Sequence, residues 1–377
     1  MMALPEPKTK DTDMNLSARA TGSKYLAWAK LHSSARYNLA TSGILNFPLS
    51  ALPVSIEDLE INGPGVYGYA PLQQRLAKKY DVATECIVAA YGTSMANHLA
   101  MAAVIKPGDD VLIERPGYGP IVEVASWLGA NIVRFDRRPE NRFQIDPDEI
   151  RRHLTPKTSL IVLTNLHNPS GAFTEETTLV AIGNLAANTG AWVLVDEVYL
   201  DLVFDQPVRS SFHLGDHFIV TNSLTKAYGL NGLRCGWILA NRDLAGRIWK
   251  LTDLFFNTPV HPGELLSVIA LDHLDLIGRR AKQLLHSNRL ALDTVLDGRG
   301  DLEVFRPKWG TVTFPKLIRG SVTDFCKLLR TRYETTIVPG LFFEMPEHFR
   351  VGIGGDPEMT TQGLERFSEA LDEFGSQ

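Results

Sequence analysis

Cysteine is scarce in this sequence. Cys86, Cys235 and Cys326 are spread through 377 positions, and no pair has the spacing of a metal clamp or a disulfide framework. They read as small buried apolar side chains of a reducing compartment, so no metal site and a cytoplasmic location are expected. Basic tracts are missing too. With 38 Lys and Arg against 43 Asp and Glu the formal net charge is −5, which argues against nucleic acid as a partner. No stretch reaches the roughly 18 apolar residues that cross a bilayer, so no membrane partner is expected. The opening MMALPEPKTKDTDMN lacks an apolar segment, which speaks against a secretory signal and for a mobile arm. There is no internal repeat and no low-complexity block.

What is present is a long alternation. A chain of 377 residues is too long for one small core and suits a large domain with a smaller one. Strand-like runs at 86–91, 110–114, 131–135, 159–164, 191–196, 217–223 and 235–240 are continuously apolar, so both of their faces should be buried. Helical patterns lie between them at 71–80, 94–105, 119–129 and 174–189. This predicts an α/β fold with a mostly parallel mixed sheet covered by helices, plus a smaller α+β domain. After Pro262 a single long helical pattern runs over 263–296 and could bridge two domains. The expected division is 1–45 as an arm and part of the small domain, 46–262 as the large ligand-binding domain, and 263–377 as the bridging helix and small domain.

Six segments carry residues suited to chemistry. In SLTKAYGLNGLRCGW (223–237), Ser223, Lys226 and Arg234 follow an apolar strand, where open α/β sheets bind ligands. A lysine there can form a Schiff base if burial lowers its pKa, and Arg234 with Ser223 can hold a phosphate; the alternative is an ordinary surface turn. In VLVDEVYLD (193–201), Asp196 closes a strand and needs a partner, or else caps the next helix; Tyr199 follows it, and Glu197 is expected to face solvent. TNLHNPSGAFT (164–174) ends a strand in an Asn168-Pro-Ser-Gly turn. In AYGTSMANHLAMAAV (90–104), Gly92, Thr93 and Ser94 open a helix as an anion site or as a plain N-cap. Tyr118, in ERPGYGPI (114–121), can stack on a flat ring or simply pack in the core. Arg350, inside the apolar HFRVGIGG (348–355), wants a bidentate anion: either a ligand carboxylate or an internal Asp or Glu.

The ordered set resembles the class I/II aminotransferases, enzymes of fold type I that use pyridoxal 5'-phosphate, over about residues 38–370. Its most specific parts are S-x-x-K with G-x-R-x-G, the D-x-x-Y at a strand end and the N-P-x-G turn. The resemblance implies roles. Lys226 carries the cofactor as a Schiff base and moves the substrate Cα proton. Asp196 keeps the pyridine nitrogen protonated, while Asn168 and Tyr199 hold the ring hydroxyl. Gly92, Thr93, Ser94, Ser223 and Arg234 bind the phosphate, and Tyr118 stacks on the ring. Arg350 takes the substrate α-carboxylate, and NLATSG (38–43), with Ser42 and Gly43, covers the site. Amino acid and 2-oxo acid would be the partners, in a homodimer with the site at its interface.

Two departures matter. The family's cross-subunit phosphate tyrosine falls on Gly63 here, so that either Tyr67 or Tyr69 substitutes for it or the contact is missing. The stretch that supplies an arginine in dicarboxylate-specific members reads LTDLFFNTPVHP (251–262), with Asp253, Phe255 and Phe256 in its place. An apolar, aromatic or basic donor is therefore expected. Rival readings are another reaction of the same cofactor, such as C–S lyase, synthase or epimerase chemistry, or a non-catalytic regulatory protein of this fold.

Overall fold

The computed structural model describes residues 22–32 and 34–376, so the expected arm at the very start lies outside the described residues. A seven-stranded sheet forms the centre, in the order Ile87–Tyr91, Cys235–Leu239, Phe218–Ser223, Trp192–Asp196, Thr158–Thr164, Asp110–Arg115 and Asn131–Asp136. All neighbours run parallel except Cys235–Leu239, which is antiparallel to both of its own. The continuous apolar runs have the predicted cause. Leu194 packs with Leu99, Ile121 and Ile248 on one face, while Val193 and Val195 pack with Ile150 and Ile182 on the other. Alternate side chains of one strand thus meet two separate helical layers.

Several elements differ from the sequence reading. The long pattern at 263–296 is two helices, His261–Asp272 and Leu274–Leu296, broken at His273 (φ −120°, ψ 20°). The His273 ring bonds back to the Ile269 carbonyl at 2.8 Å. The break lets the first helix pack on Ala70–Tyr80 and the second on Pro357–Gly375. Apolar periodicity is blind to such a change of axis because it runs through both helices. Helices Lys24–His32, Pro147–His153 and Arg242–Thr252 were not foreseen. Among the described residues, no helix is long and apolar enough to cross a membrane. Cys86 and Cys235 are buried and Cys326 is half-buried, and all three are free thiols.

The segment after the first helix is a strap. Tyr37–Asn38 pairs in parallel with Thr335–Thr336. Beyond it, Gly352 donates to the Leu39 carbonyl (2.7 Å), Ile44 to the Lys226 carbonyl (2.9 Å) and Phe47 to the Gly229 carbonyl (3.0 Å). The strap therefore ties the small antiparallel sheet of Val312–Thr313, Phe349–Gly352 and Val338–Pro339 to the loop that carries Lys226. The approach is close enough to exclude a side chain: a Cβ on Gly352 would stand 2.0 Å from the Thr41 carbonyl oxygen. Gly352→Ala should accordingly destabilise the fold by roughly 1–3 kcal/mol. The check is the midpoint of thermal or urea unfolding; an unchanged midpoint would mean that the strap is not held as described.

Candidate active site

The carboxyl ends of the parallel strands and the strap enclose a cavity of about 340 Å³. Ser42, Thr93, Ser94, Tyr118, Asn168, Asp196, Tyr199, Lys226 and Arg234 all line it. Three of the remaining sequence-named residues stand directly behind that wall. Gly43 packs on the Lys226 side chain, where a Cβ would lie 3.5 Å from its Cδ. Ser223 is fully buried, its hydroxyl accepting from Thr93 Oγ1 at 2.8 Å and from the Thr225 N–H at 3.2 Å. Arg350 is fully buried behind Asn168, Tyr25 and Ala40.

Lys226 sits three residues past its strand, at the bottom of the cavity. Its amine donates to Ser42 Oγ at 3.2 Å, and the same oxygen accepts from the Tyr199 hydroxyl at 2.9 Å. Burial, with Arg350 and Arg234 adding like charge against the pull of Asp196, lowers its pKa to about 8. A substantial neutral fraction is thus present near neutral pH, as a nucleophilic amine needs.

Burial pushes the Asp196 carboxyl up to about 6, against two hydrogen bonds that favour the anion. One comes from Asn97 Nδ2 at 2.8 Å and the other from the Val198 N–H at 3.1 Å. The carboxylate is therefore still ionised at neutral pH, facing a cavity where a cationic N–H would find it. Asn97 was missed in the sequence reading. The signal was there: Asn97 is a polar residue about one helical turn after Thr93 and Ser94, so it shares their face in an otherwise apolar helix.

The phosphate-like end is built around Gly92. At φ +73° it begins the helix Gly92–Val104, and a Cβ there would come within 2.6 Å of the Arg234 guanidinium. Only glycine admits both that backbone and that neighbour. The plain N-cap reading of Thr93 and Ser94 fails, because the helix starts before them and the Thr93 hydroxyl goes to Ser223. Arg234 donates only to the carbonyls of Asn231 and Tyr91, with no carboxylate partner among the described residues. Free amide donors at a helix N-terminus, hydroxyls and an unpaired arginine suit a phosphate.

At the opposite end, Arg350 donates to Asn168 Oδ1 (2.8 Å), the Tyr25 hydroxyl (2.7 Å) and the Ala40 carbonyl (3.0 Å), while its Nε has no partner. All of these acceptors are neutral, so the internal Asp or Glu alternative is not realised among the described residues. A guanidinium has only donors, so the Asn168 oxygen must face it and the amide N–H groups point elsewhere. The Asn168 loop is held from below by a buried relay: Arg137 Nη1 donates to Glu114 (2.7 Å), Thr164 Oγ1 donates to Glu114 (2.6 Å), and the Asn168 N–H donates to Thr164 Oγ1 (3.0 Å). Tyr25, on Lys24–His32, was also missed, since nothing in KYLAWAK marks it as facing an arginine on the far side of the chain.

One further expectation changes. Glu197 is buried instead of facing solvent, accepting from the Ser210 hydroxyl (2.8 Å) and from the Ser211 N–H (2.7 Å) and hydroxyl (2.6 Å). Burial pushes its carboxyl up to about 7. Tyr67 spends its hydroxyl on Asp253 at 2.6 Å, and Tyr69 packs edge-on against His261.

This sheet, with a lysine, a strand-end aspartate and an anion cradle converging on one cavity, defines a fold type I pyridoxal-phosphate enzyme. The family model of aminotransferase class I and II matches residues 60–367, and the chain belongs to that family. Its cofactor is accordingly pyridoxal 5'-phosphate, and amino acids and 2-oxo acids are the substrates the family implies. Capreomycidine synthase of Streptomyces vinaceus is 32% identical over 289 residues, covering 76% of this chain and 74% of that protein. The arginine–pyruvate transaminase of Pseudomonas aeruginosa is 27% identical, with 78% of each chain covered. A solved aminotransferase from Streptococcus suis superposes with a TM-score of 0.88 at 28% identity, covering 96% of this chain and 99% of its own.

The Asn97–Asp196 bond makes a test. A hydrogen bond to a charged group contributes about 1.5–3 kcal/mol, so Asn97→Ala should weaken cofactor binding by about tenfold or more. Without that bond the carboxylate is lost at higher pH, so the acid limb of binding should move upward as well. Titration of the apoprotein with pyridoxal phosphate, read by absorbance across pH, decides it; unchanged affinity and an unchanged limb would reject the role.

Proposed function

We propose that the protein is an aminotransferase that moves an amino group from an L-amino acid, not a dicarboxylic one, to a 2-oxo acid. The observation that carries this reading is Lys226, a buried amine with its pKa pulled to about 8, sharing one cavity with Asp196 and backed by an arginine without a carboxylate. In this reading Lys226 would hold the cofactor through its amine and would take up the proton that leaves the substrate Cα. The cofactor, when bound, supplies an electron sink for the charge left on that carbon. Asp196 would pair with its ring nitrogen and keep it protonated, Asn168 and Tyr199 would hold its ring hydroxyl, and Tyr118 would stack on the ring. Gly92, Thr93, Ser94, Ser223 and Arg234 hold the phosphate. Arg350 takes the α-carboxylate in exchange for its neutral acceptors, and Ser42 and Gly43 in the strap exclude water. Two half-reactions on one protein predict ping-pong kinetics.

The lack of an arginine in 251–262 supports the exclusion of dicarboxylates: Asp253 is engaged by Tyr67, and Phe255 lies edge-on to His98. We also infer a cytoplasmic homodimer, supported by the free thiols and by exposed Ile61, Val66 and Leu254. A second reading has one observation in its favour. A relative at 32% identity is named a synthase, and the same proton abstraction can end in bond formation instead of amino transfer.

Lys226→Ala should abolish covalent retention of the cofactor, and borohydride reduction followed by peptide mass mapping would show label on another lysine if the assignment is wrong. In the unsubstituted apoprotein the attacking amine must be neutral. The rate of covalent capture should therefore rise with pH up to about 8 and then level. A rate independent of pH between 6 and 9 would reject the lowered pKa. Conversion of the holoprotein by amino acid alone, completed only when a 2-oxo acid is added, separates transfer from the synthase reading.

A further inference from the structure

A second cavity, of about 330 Å³, adjoins the first and shares Ser94, Asn97 and Tyr118 with it. Its outer part is lined by His98, Glu123 and Trp127. Two helices set this up. His98 lies four residues after Ser94 on Gly92–Val104, and Trp127 four residues after Glu123 on Gly119–Trp127, so each pair shares a helix face. The step from Ser94 to His98 carries the wall about 6 Å further from the cofactor end.

The chemistry of this extension is one-sided. Glu123 is the one Asp, Glu, Lys or Arg side chain on its wall among the described residues. One of its oxygens accepts from the Lys24 N–H at 3.2 Å, and the other is buried without a hydrogen-bond partner. His98 Nε2 is also buried without one, and burial holds its pKa below the ordinary histidine value, so it adds no positive charge. The rings of His98 and Trp127 lie 5.5 Å apart, tilted by 51°. A carboxylate oxygen lacking a donor, set among aromatic faces, is the environment that a cation satisfies twice, by a charge-assisted hydrogen bond and by the ring quadrupole.

We propose that this extension is the side-chain subsite of the amino donor and that Glu123 selects a long side chain ending in a guanidinium or ammonium group. The inference rests on the first cavity being the amino-acid site. A guanidinium at the far end replaces the missing donor of Glu123, and a neutral isostere of the same length leaves that carboxylate oxygen buried and unpaired. Selectivity therefore comes as much from rejecting the neutral analogue as from attracting the cation.

Arginine and citrulline differ in that one group, and they make the test. With the holoprotein, binding is followed by perturbation of the cofactor absorbance, and turnover by the 2-oxo-acid-dependent reaction. Arginine should be preferred over citrulline by about tenfold to a hundredfold in both readouts. In Glu123→Gln, which keeps an oxygen for the Lys24 N–H, the ratio should collapse towards one. Equal binding of the two by the unsubstituted protein would overturn the proposal, as would a ratio that survives Glu123→Gln. Preferential binding of arginine without transfer to any 2-oxo acid would leave the subsite standing and remove the aminotransferase reading instead.

Discussion

An ammonium group held in a cavity between strand ends and strap, beside a buried guanidinium, is costly to keep charged, and much of this molecule follows from that. Lys226 cannot be fully solvated where it stands, and Arg350 and Arg234 both oppose its proton. Among the described residues Asp196 is the one carboxylate on the cavity wall, and it is buried too deeply to neutralise all three. The cavity is thus a positive space waiting for anions at two ends, with a reactive amine between them. Its acidity and its anion affinity have the same physical origin. Removing either arginine would change the lysine as well as the ligand.

The strap closes this arrangement. It bonds through its backbone to Lys226, Gly229, Gly352 and Gly354, so one segment fixes the lysine loop and the Arg350 strand at once. Backbone bonds of this kind demand small residues opposite them, which explains why glycines crowd the Arg350 strand end. The first helix adds Tyr25 over Arg350 and begins with a bond to Glu123. The carboxylate end of the first cavity and the carboxylate of the second are therefore covered by adjacent residues, Tyr25 and Lys24, in the first turn of one nine-residue helix. Any ligand that occupies both must negotiate with the same element.

Much of the architecture was legible because its cause is local. Strands buried on both faces must be apolar throughout, and Val193, Leu194 and Val195 show why: each meets a different layer from its neighbour. Most site residues named from the sequence lie at strand ends, in turns or at a helix start, where short motifs fix the geometry, and the structure brings them to one cavity wall or directly behind it. What was not legible depends on partners far along the chain. Glu197 was expected in solvent, yet residues 210 and 211 fold over it. Tyr25 reaches Arg350 across 325 positions, and no periodicity encodes that meeting. The break at His273 was invisible because no proline or glycine marks it and helix-forming sequence continues on both sides.

The same distinction bears on specificity. Residues proposed to handle the cofactor are set mostly by strand ends common to the whole sheet, so they can be matched motif by motif. Residues that would meet the side chain of a substrate, such as Glu123, His98 and Trp127, sit further along two helices, away from the motif positions at the strand ends. Their meaning appears only when the helices are packed side by side and one carboxylate oxygen is found without a donor. Cofactor chemistry is thus written in short segments, whereas substrate choice is written in how those segments are packed. A family assignment alone therefore reaches the first and stops before the second.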